Sequence, residues 1–154
     1  MYQLRQPAPE LIPYIENYWS VSGADGVAVD VHVDVFVDAR ADLIFTFGAP
    51  YAREVIGEAR TLHRYSNLDA QRLVPIRIVQ RGDVRLCGVR FKLGGLAPFA
   101  RAPLRAFTNQ TVPFAAVLGD AANLLESALA SAADVDGVAA SASRCRPCSR
   151  RSAS

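Results

Sequence analysis

The sequence predicts an α+β fold: a mostly antiparallel β-barrel or sandwich, followed by short helices and one C-terminal helix. Three observations carry this expectation. Valine stands at every second position from 29 to 37, the first 91 residues hold five to seven short strand-like segments with no long helix between them, and an apolar stripe of helical spacing begins after Asp120. At 154 residues the chain is long enough for one domain with one hydrophobic core.

The elements follow in order. In "PELIPYIENYW", Leu11, Tyr14, Ile15, Tyr18 and Trp19 share one helical stripe, and Pro13 limits any regular helix. A short helix or turn is therefore expected to feed a strand near Trp19–Ser22. "GVAVDVHVDVFVDAR" reads as a strand with its valines on one face and Asp30, His32 and Asp34 on the other. "ADLIFTFG" continues as a more buried strand. "REVIGEA" and "RLVPIRIVQ" are further strands, and "QRGDVRLCGVRF" reads as a hairpin turning at Gly82-Asp83. "KLGGLAPFARAP" is a glycine turn into a short helix. From Asp120, a suitable N-cap, Ala121, Leu124, Leu125, Ala128, Leu129 and Ala132 form one apolar stripe.

Composition narrows the classes of function. No apolar run approaches the roughly 20 residues of a membrane span, and the N-terminus has no leader pattern, so a cytoplasmic protein is expected. The net charge of +2 comes from four arginines, at 144, 146, 150 and 151, and the rest of the chain holds thirteen basic groups against fifteen acids. That body has no basic surface for nucleic acid. Residues 137–154, rich in Arg, Ser and Ala, have too little apolar surface to fold and are expected to be a disordered tail after a domain of residues 1–136.

Few residues suit catalysis or metal binding. His32 with Asp34 would need a third ligand, and the only other histidine is His63, so a wet strand face is favoured over a metal site. Cys145-Arg-Pro-Cys148 has redox or zinc spacing without a packed context. No nucleophile sits with a base and an orienting group, so no catalytic residue, cofactor or metal is expected. Asp38 and Asp42 could share a face, with Asp38 fixing a turn through backbone amides.

"DARADLIFTFG" (38–48), "VIGEART" (55–61) and above all "GVRFKLGGLAPF" (88–99) resemble the N-terminal regulatory domain of AraC/XylS-type transcriptional regulators. "PELIPYIENYW" and "FTNQTVPFAAVLGDAANLLESALASA" fit the same pattern, so the resemblance runs from about Pro9 to Ala133. Its signature positions here are Asp38, Asp42, Gly88, Arg90, Phe91, Gly94 and Gly95. The resemblance implies an effector-sensing and dimerising domain, built as a small cupin-like barrel with helices beside it.

An unidentified small-molecule effector is then an expected partner, with Trp19, Phe45 and Phe91 as its first candidate contacts. A second copy is the other, through Leu124, Leu125, Ala128 and Leu129. The family's paired helix-turn-helix motifs have no counterpart after Ala133, so promoter DNA is expected to be reached only through an intact family member. A frameshift near Gly137 would account for the composition of the tail. A small cupin-like barrel enzyme or a stand-alone small-molecule-binding protein is the alternative.

Overall fold

The computed structural model describes residues 1–23, 29–57, 61–64 and 66–123. The strands are β1 (Tyr2–Arg5), β2 (Ile15–Ser22), β3 (Val29–Val35), β4 (Asp42–Thr46), β5 (Tyr51–Val55), β6 (Thr61–Arg64), β7 (Asn67–Asp69), β8 (Ile76–Gly82), β9 (Arg85–Phe91) and β10 (Thr111–Val112). One five-residue helix, α1 (Phe114–Leu118), and 3-10 turns at Pro9–Leu11 and Leu104–Phe107 complete the described elements.

The fold is mostly antiparallel β. Six strands form a sheet in the order β1-β2-β9-β4-β7-β10, and four form a second in the order β3-β8-β5-β6. The expected closed barrel is not found among the described residues: no ladder joins the two sheets, and each keeps two edges. Strand spacing along a chain signals antiparallel β without distinguishing a closed sheet from two facing ones.

The turn at Gly82-Asp83 accounts for part of this difference. Gly82 has the positive φ expected of a hairpin turn, yet β8 pairs with β3 and β5, whereas β9 pairs with β2 and β4. The turn carries the chain from one sheet to the other. A local signal reports that the chain reverses, not which partner the next strand finds.

At the N-terminus the helical stripe resolves into a single 3-10 turn, and β2 begins at Ile15, four residues before the expected start. Pro13 has no amide hydrogen to continue a helix. Leu11, Ile15 and Tyr18 are buried all the same. β1, which no sequence pattern announced, pairs with β2 from Tyr2↔Val21 to Arg5↔Tyr18.

The main core lies on the face of the six-stranded sheet turned away from the four-stranded one. Tyr18, Leu43, Phe45, Leu68, Cys87, Val89 and Phe91 supply the sheet side. Leu96, Phe99, Phe107, Phe114, Val117 and Leu118 cover them from the segment after β9. Phe45 meets Phe114 at 4.8 Å between ring centroids, and Phe91 meets Phe99 at 6.0 Å. Burying each such side chain stabilises the fold by about 1.5–3 kcal/mol, so this layer is the principal apolar store.

β3 departs from expectation in another way. Val31 and Val33 are 45% and 48% exposed, so the valine face is not a buried barrel wall. β3 is an edge strand with a neighbour on one side only, so a face that would be covered in a closed barrel stays partly open. The helix expected over 120–132 is described only at its beginning: residues 121–123 are helical, with Ala122 buried and Ala121 exposed. Leu124, Leu125, Ala128 and Leu129, Cys145 and Cys148, and the 137–154 tail lie outside the described residues.

Candidate functional site

Strand alternation gives the six-stranded sheet a second face, directed at the four-stranded sheet. In β4, Leu43 and Phe45 point to the apolar core, so Asp42 and Ile44 point the other way. In β9, Cys87, Val89 and Phe91 face the core, and Leu86 and Arg90 face inward. In β7, Leu68 faces the core and Asp69 faces inward.

A β-bulge sets this phase in β2. Ile15 pairs with Phe91 and Asn17 with Arg90, leaving Glu16 as the extra residue. Without it, Ile15 and Asn17 would share a face. With it, Ile15 stays in the core while Asn17, Trp19 and Val21 turn toward the space between the sheets.

These inward residues line a partly open cavity of about 290 Å³. Val35 of β3, Tyr51 of β5 and Ile78 of β8 close it from the four-stranded sheet, and Tyr2 of the edge strand β1 contributes from the other. Apolar and aromatic walls therefore stand over a floor of paired charge.

That floor consists of two linked ion-pair groups. Arg90 grips Asp42 with two donors, Nε to Oδ1 at 3.2 Å and Nη2 to Oδ2 at 3.2 Å, and reaches Asp38 at 3.4 Å. The Trp19 Nε1–H donates to the same Asp42 Oδ1 at 3.2 Å. In the second group Arg72 Nη1 donates to Asp69 Oδ2, Arg53 lies 3.5 Å from Asp69 Oδ1, and Thr111 donates to that oxygen at 3.4 Å. Tyr51 O–H donates to Asn67 Oδ1 at 2.9 Å and so ties the two sheets together.

Arg53, Asp69 and Arg72 are each at most 6% exposed, so their charges stand only because they are paired. Burial is the strongest influence on the Asp69 carboxyl and pushes it above the usual value against the pull of Arg72 and Arg53. Burial also opposes ionisation of Asp38. There the Arg40 amide and the guanidiniums of Arg90, Arg40 and Arg72 outweigh it, holding the carboxyl below its usual value.

The signature positions acquire physical roles. Asp38 accepts from the Arg40 amide at 3.0 Å, the turn-fixing bond expected of it, and it shares Arg90 with Asp42. Gly88 pairs with Trp19 across β2 and β9, and a Cβ there would fall 2.1 Å from Trp19 Cε2, so the indole lies flat only over glycine. Gly94 has a φ of +72°, and a Cβ on Gly95 would lie 2.0 Å from the Tyr14 carbonyl oxygen. The glycine pair thus docks the turn after β9 against the start of β2, where the Lys92 amide donates to that same oxygen at 2.8 Å.

Of the three candidate effector contacts, Trp19 lines the cavity. Phe45 and Phe91 do not: both are odd-numbered residues of strands whose even-numbered ones face inward, and they fill the opposite core. Sequence reasoning missed Asn17, Tyr51, Asp69 and Arg72. The available signal was charge inside short apolar strands, as in Leu68-Asp69-Ala70, since a charged residue between buried ones must find a partner.

The row Asp30, His32, Asp34 faces solvent on the other side of the four-stranded sheet. Arg77 takes Asp34 with two donors, at 2.7 and 3.1 Å, while Arg81 and His32 approach Asp30 at 3.2 and 3.0 Å. Hydrogen bonds from Arg81 and Arg77 hold the Asp30 and Asp34 carboxyls below their usual values. The two arginine contacts are cross-strand pairs and the His32 contact runs along β3, and the described residues contain no cluster of three metal-ligating side chains. No described helix is long and apolar enough to cross a membrane.

No curated protein and no solved structure matches this chain. Residues 3–113, which take in all the strands described above except Tyr2 at the start of β1, match the model of a family described as a domain of unknown function (DUF6597), and the chain belongs to that family.

Proposed function

We propose that this chain is a small-molecule-sensing domain whose ligand sits between the two sheets. The observation that carries the reading is the inverted polarity of the six-stranded sheet. Its apolar face is spent on the helical layer, and its charged and aromatic face is turned onto a cavity. A fold needing only a core gains nothing from setting Asp42, Asp69, Arg72 and Arg90 beside empty space, whereas walls of Trp19, Tyr51 and Ile78 over fixed polar groups are the usual makeup of a ligand pocket.

The resemblance of residues 38–48, 55–61 and 88–99 to AraC/XylS-type regulatory domains supports a place in transcriptional control. In this reading the chain is cytoplasmic, senses an effector, pairs with a second copy and reaches promoter DNA through an intact family member. Ligand binding in such a domain acts by favouring one arrangement of the two sheets over another.

A thermal-shift screen of the purified chain against small aromatic and aliphatic compounds tests the sensing role. The expected result is a saturable rise in Tm that disappears in Ile44→Trp, which fills the cavity from β4. Stabilisation that survives in Ile44→Trp would move the ligand elsewhere, and stabilisation by no compound would sink the sensing role.

A further inference from the structure

Resting on that reading, we infer that Arg90 is the residue that selects the ligand: the cavity takes an apolar molecule of bicyclic size whose uncharged carbonyl oxygen accepts from Arg90 Nη1. Among the described residues, four charged side chains line the cavity, and they differ in what they leave open. Arg72 and Asp69 are buried and turned on each other. The Asp42 side chain is 10% exposed, and both its oxygens already accept, Oδ1 from Trp19 and Arg90 and Oδ2 from Arg90. The Arg90 side chain is 34% exposed, so it is the charged group that a ligand reaches.

The way Arg90 is held decides which of its donors is available. Asp42 and Arg90 stand directly opposite in the β4–β9 ladder, so the sheet itself sets their grip. Nε and Nη2 hold the two Asp42 oxygens at 3.2 Å each, and Nη2 also reaches Asp38 at 3.4 Å. Nη1 has no hydrogen-bond partner among the described residues and is not one of their sealed polar atoms. A guanidinium carries five N–H donors in a rigid fork. The fork is thus anchored along one side and presents Nη1, with its two donors, at an accessible position.

That anchoring also selects the acceptor. A neutral carbonyl at Nη1 gains a charge-assisted hydrogen bond. A carboxylate gains the same bond but comes beside Asp42, whose like charge, already engaged by Arg90, opposes it. The rest of the ligand meets Trp19, Val21, Ile44, Ile78 and Leu86, all apolar or aromatic. About 290 Å³ is roughly twice the ~150 Å³ apolar cavity that accommodates one benzene ring, which sets the bicyclic size.

Three probes of one ring system separate these contributions: 1-tetralone, tetralin and 1-tetralincarboxylate, titrated by calorimetry into the full chain at neutral pH with matched cosolvent. Tetralone is expected to bind about tenfold tighter than tetralin, the worth of a hydrogen bond to a charged donor, and tighter than the carboxylate. In the double variant Asp42→Asn with Arg90→Met, which removes Nη1 and strands no Asp42 charge, tetralone affinity should fall to that of tetralin while tetralin affinity holds. Thermal unfolding checks the fold of this variant. Asp42→Asn alone is the second test: with Arg90 kept and the opposing charge gone, the carboxylate should gain on tetralone.

A tetralone preference that persists in the folded double variant would remove Arg90 as the reader. A carboxylate that binds the parent as tightly as tetralone, or gains nothing in Asp42→Asn, would overturn the uncharged acceptor. Failure of all three probes to bind, while other compounds raise Tm in an Ile44-dependent way, would reject this ligand class and leave the sensing cavity standing. Failure of every compound would reject the sensing role with it.

Discussion

The two faces of the six-stranded sheet are made by the same strands, residue against residue, and behave as different materials. One face carries Tyr18, Leu43, Phe45, Val89 and Phe91 into a dry layer under α1 and its flanking turns. The other carries Trp19, Asp42, Asp69 and Arg90 onto a cavity. On the first, stability comes from area removed from water, and any apolar group of suitable shape will serve. On the second, each group depends on a named partner, and removing one leaves another buried and uncompensated. The division of labour lets the fold keep an open cavity, because its stability does not depend on filling it.

Variants on each face put that contrast to work. The largest effect is expected from Asp69→Ala, which leaves Arg53 and Arg72 buried without their carboxylate. It should destabilise by about 3–5 kcal/mol in urea unfolding, and ligand-induced Tm shifts should vanish with it. Phe45→Ala should cost nearly as much, about 3–5 kcal/mol, yet leave ligand affinity within twofold where the protein is folded. If Phe45→Ala abolished binding in folded protein, the two faces would not be independent.

Gly88→Ala sharpens the contrast at a single position. The three atoms nearest the added methyl group all belong to the Trp19 indole, the closest at 2.1 Å, so the expected loss is about 1–3 kcal/mol. Its signature is a shifted Trp19 emission, readable because the chain has one tryptophan. An unchanged emission would mean that the indole does not rest on Gly88.

The smallest effect is one of pH. The Asp38 carboxyl is held below its ordinary 3.8 in the folded protein. Its contribution to stability is therefore fully present above about 3.8 and is lost as pH falls through the lower folded value. Asp38→Asn should be less stable than the parent at pH 7, and the gap should close in acid below pH ~3.8. A gap that stays constant from pH 7 to pH 2 would show that the carboxylate charge is not what Arg90 and the Arg40 amide recognise.

The sequence made the strands legible because β-branched alternation and turn residues are local. It made Trp19 and the pair Asp38 and Asp42 legible as candidates, and the structure joins them through Arg90. It misled over Phe45 and Phe91, since an aromatic residue on a strand says nothing about which face is the cavity until strand phase is known. The bulge at Glu16 hides that phase in β2: periodicity counted across it assigns Ile15 and Asn17 to one side, and the register shows them on two. The convergence of Asp69 with Arg53, and the separation of β8 from β9 into different sheets, depend on pairings distant in sequence. No local pattern encodes them.

The ladder of Asp30, His32 and Asp34 bears on how the molecule avoids its own kind. β3 ends its sheet with Val31 and Val33 exposed on one face, a combination of free backbone groups and sticky side chains that invites another strand to add on. The solvent face of the same strand answers with two carboxylates flanking one histidine, almost symmetric about His32. Should a second copy approach antiparallel and centred, Asp30 would be set against Asp34 of that copy at both ends, a like-charge pairing that works against the ladder. The row read in the sequence as a wet strand face is thus the kind of charged surface that discourages strand addition at an edge.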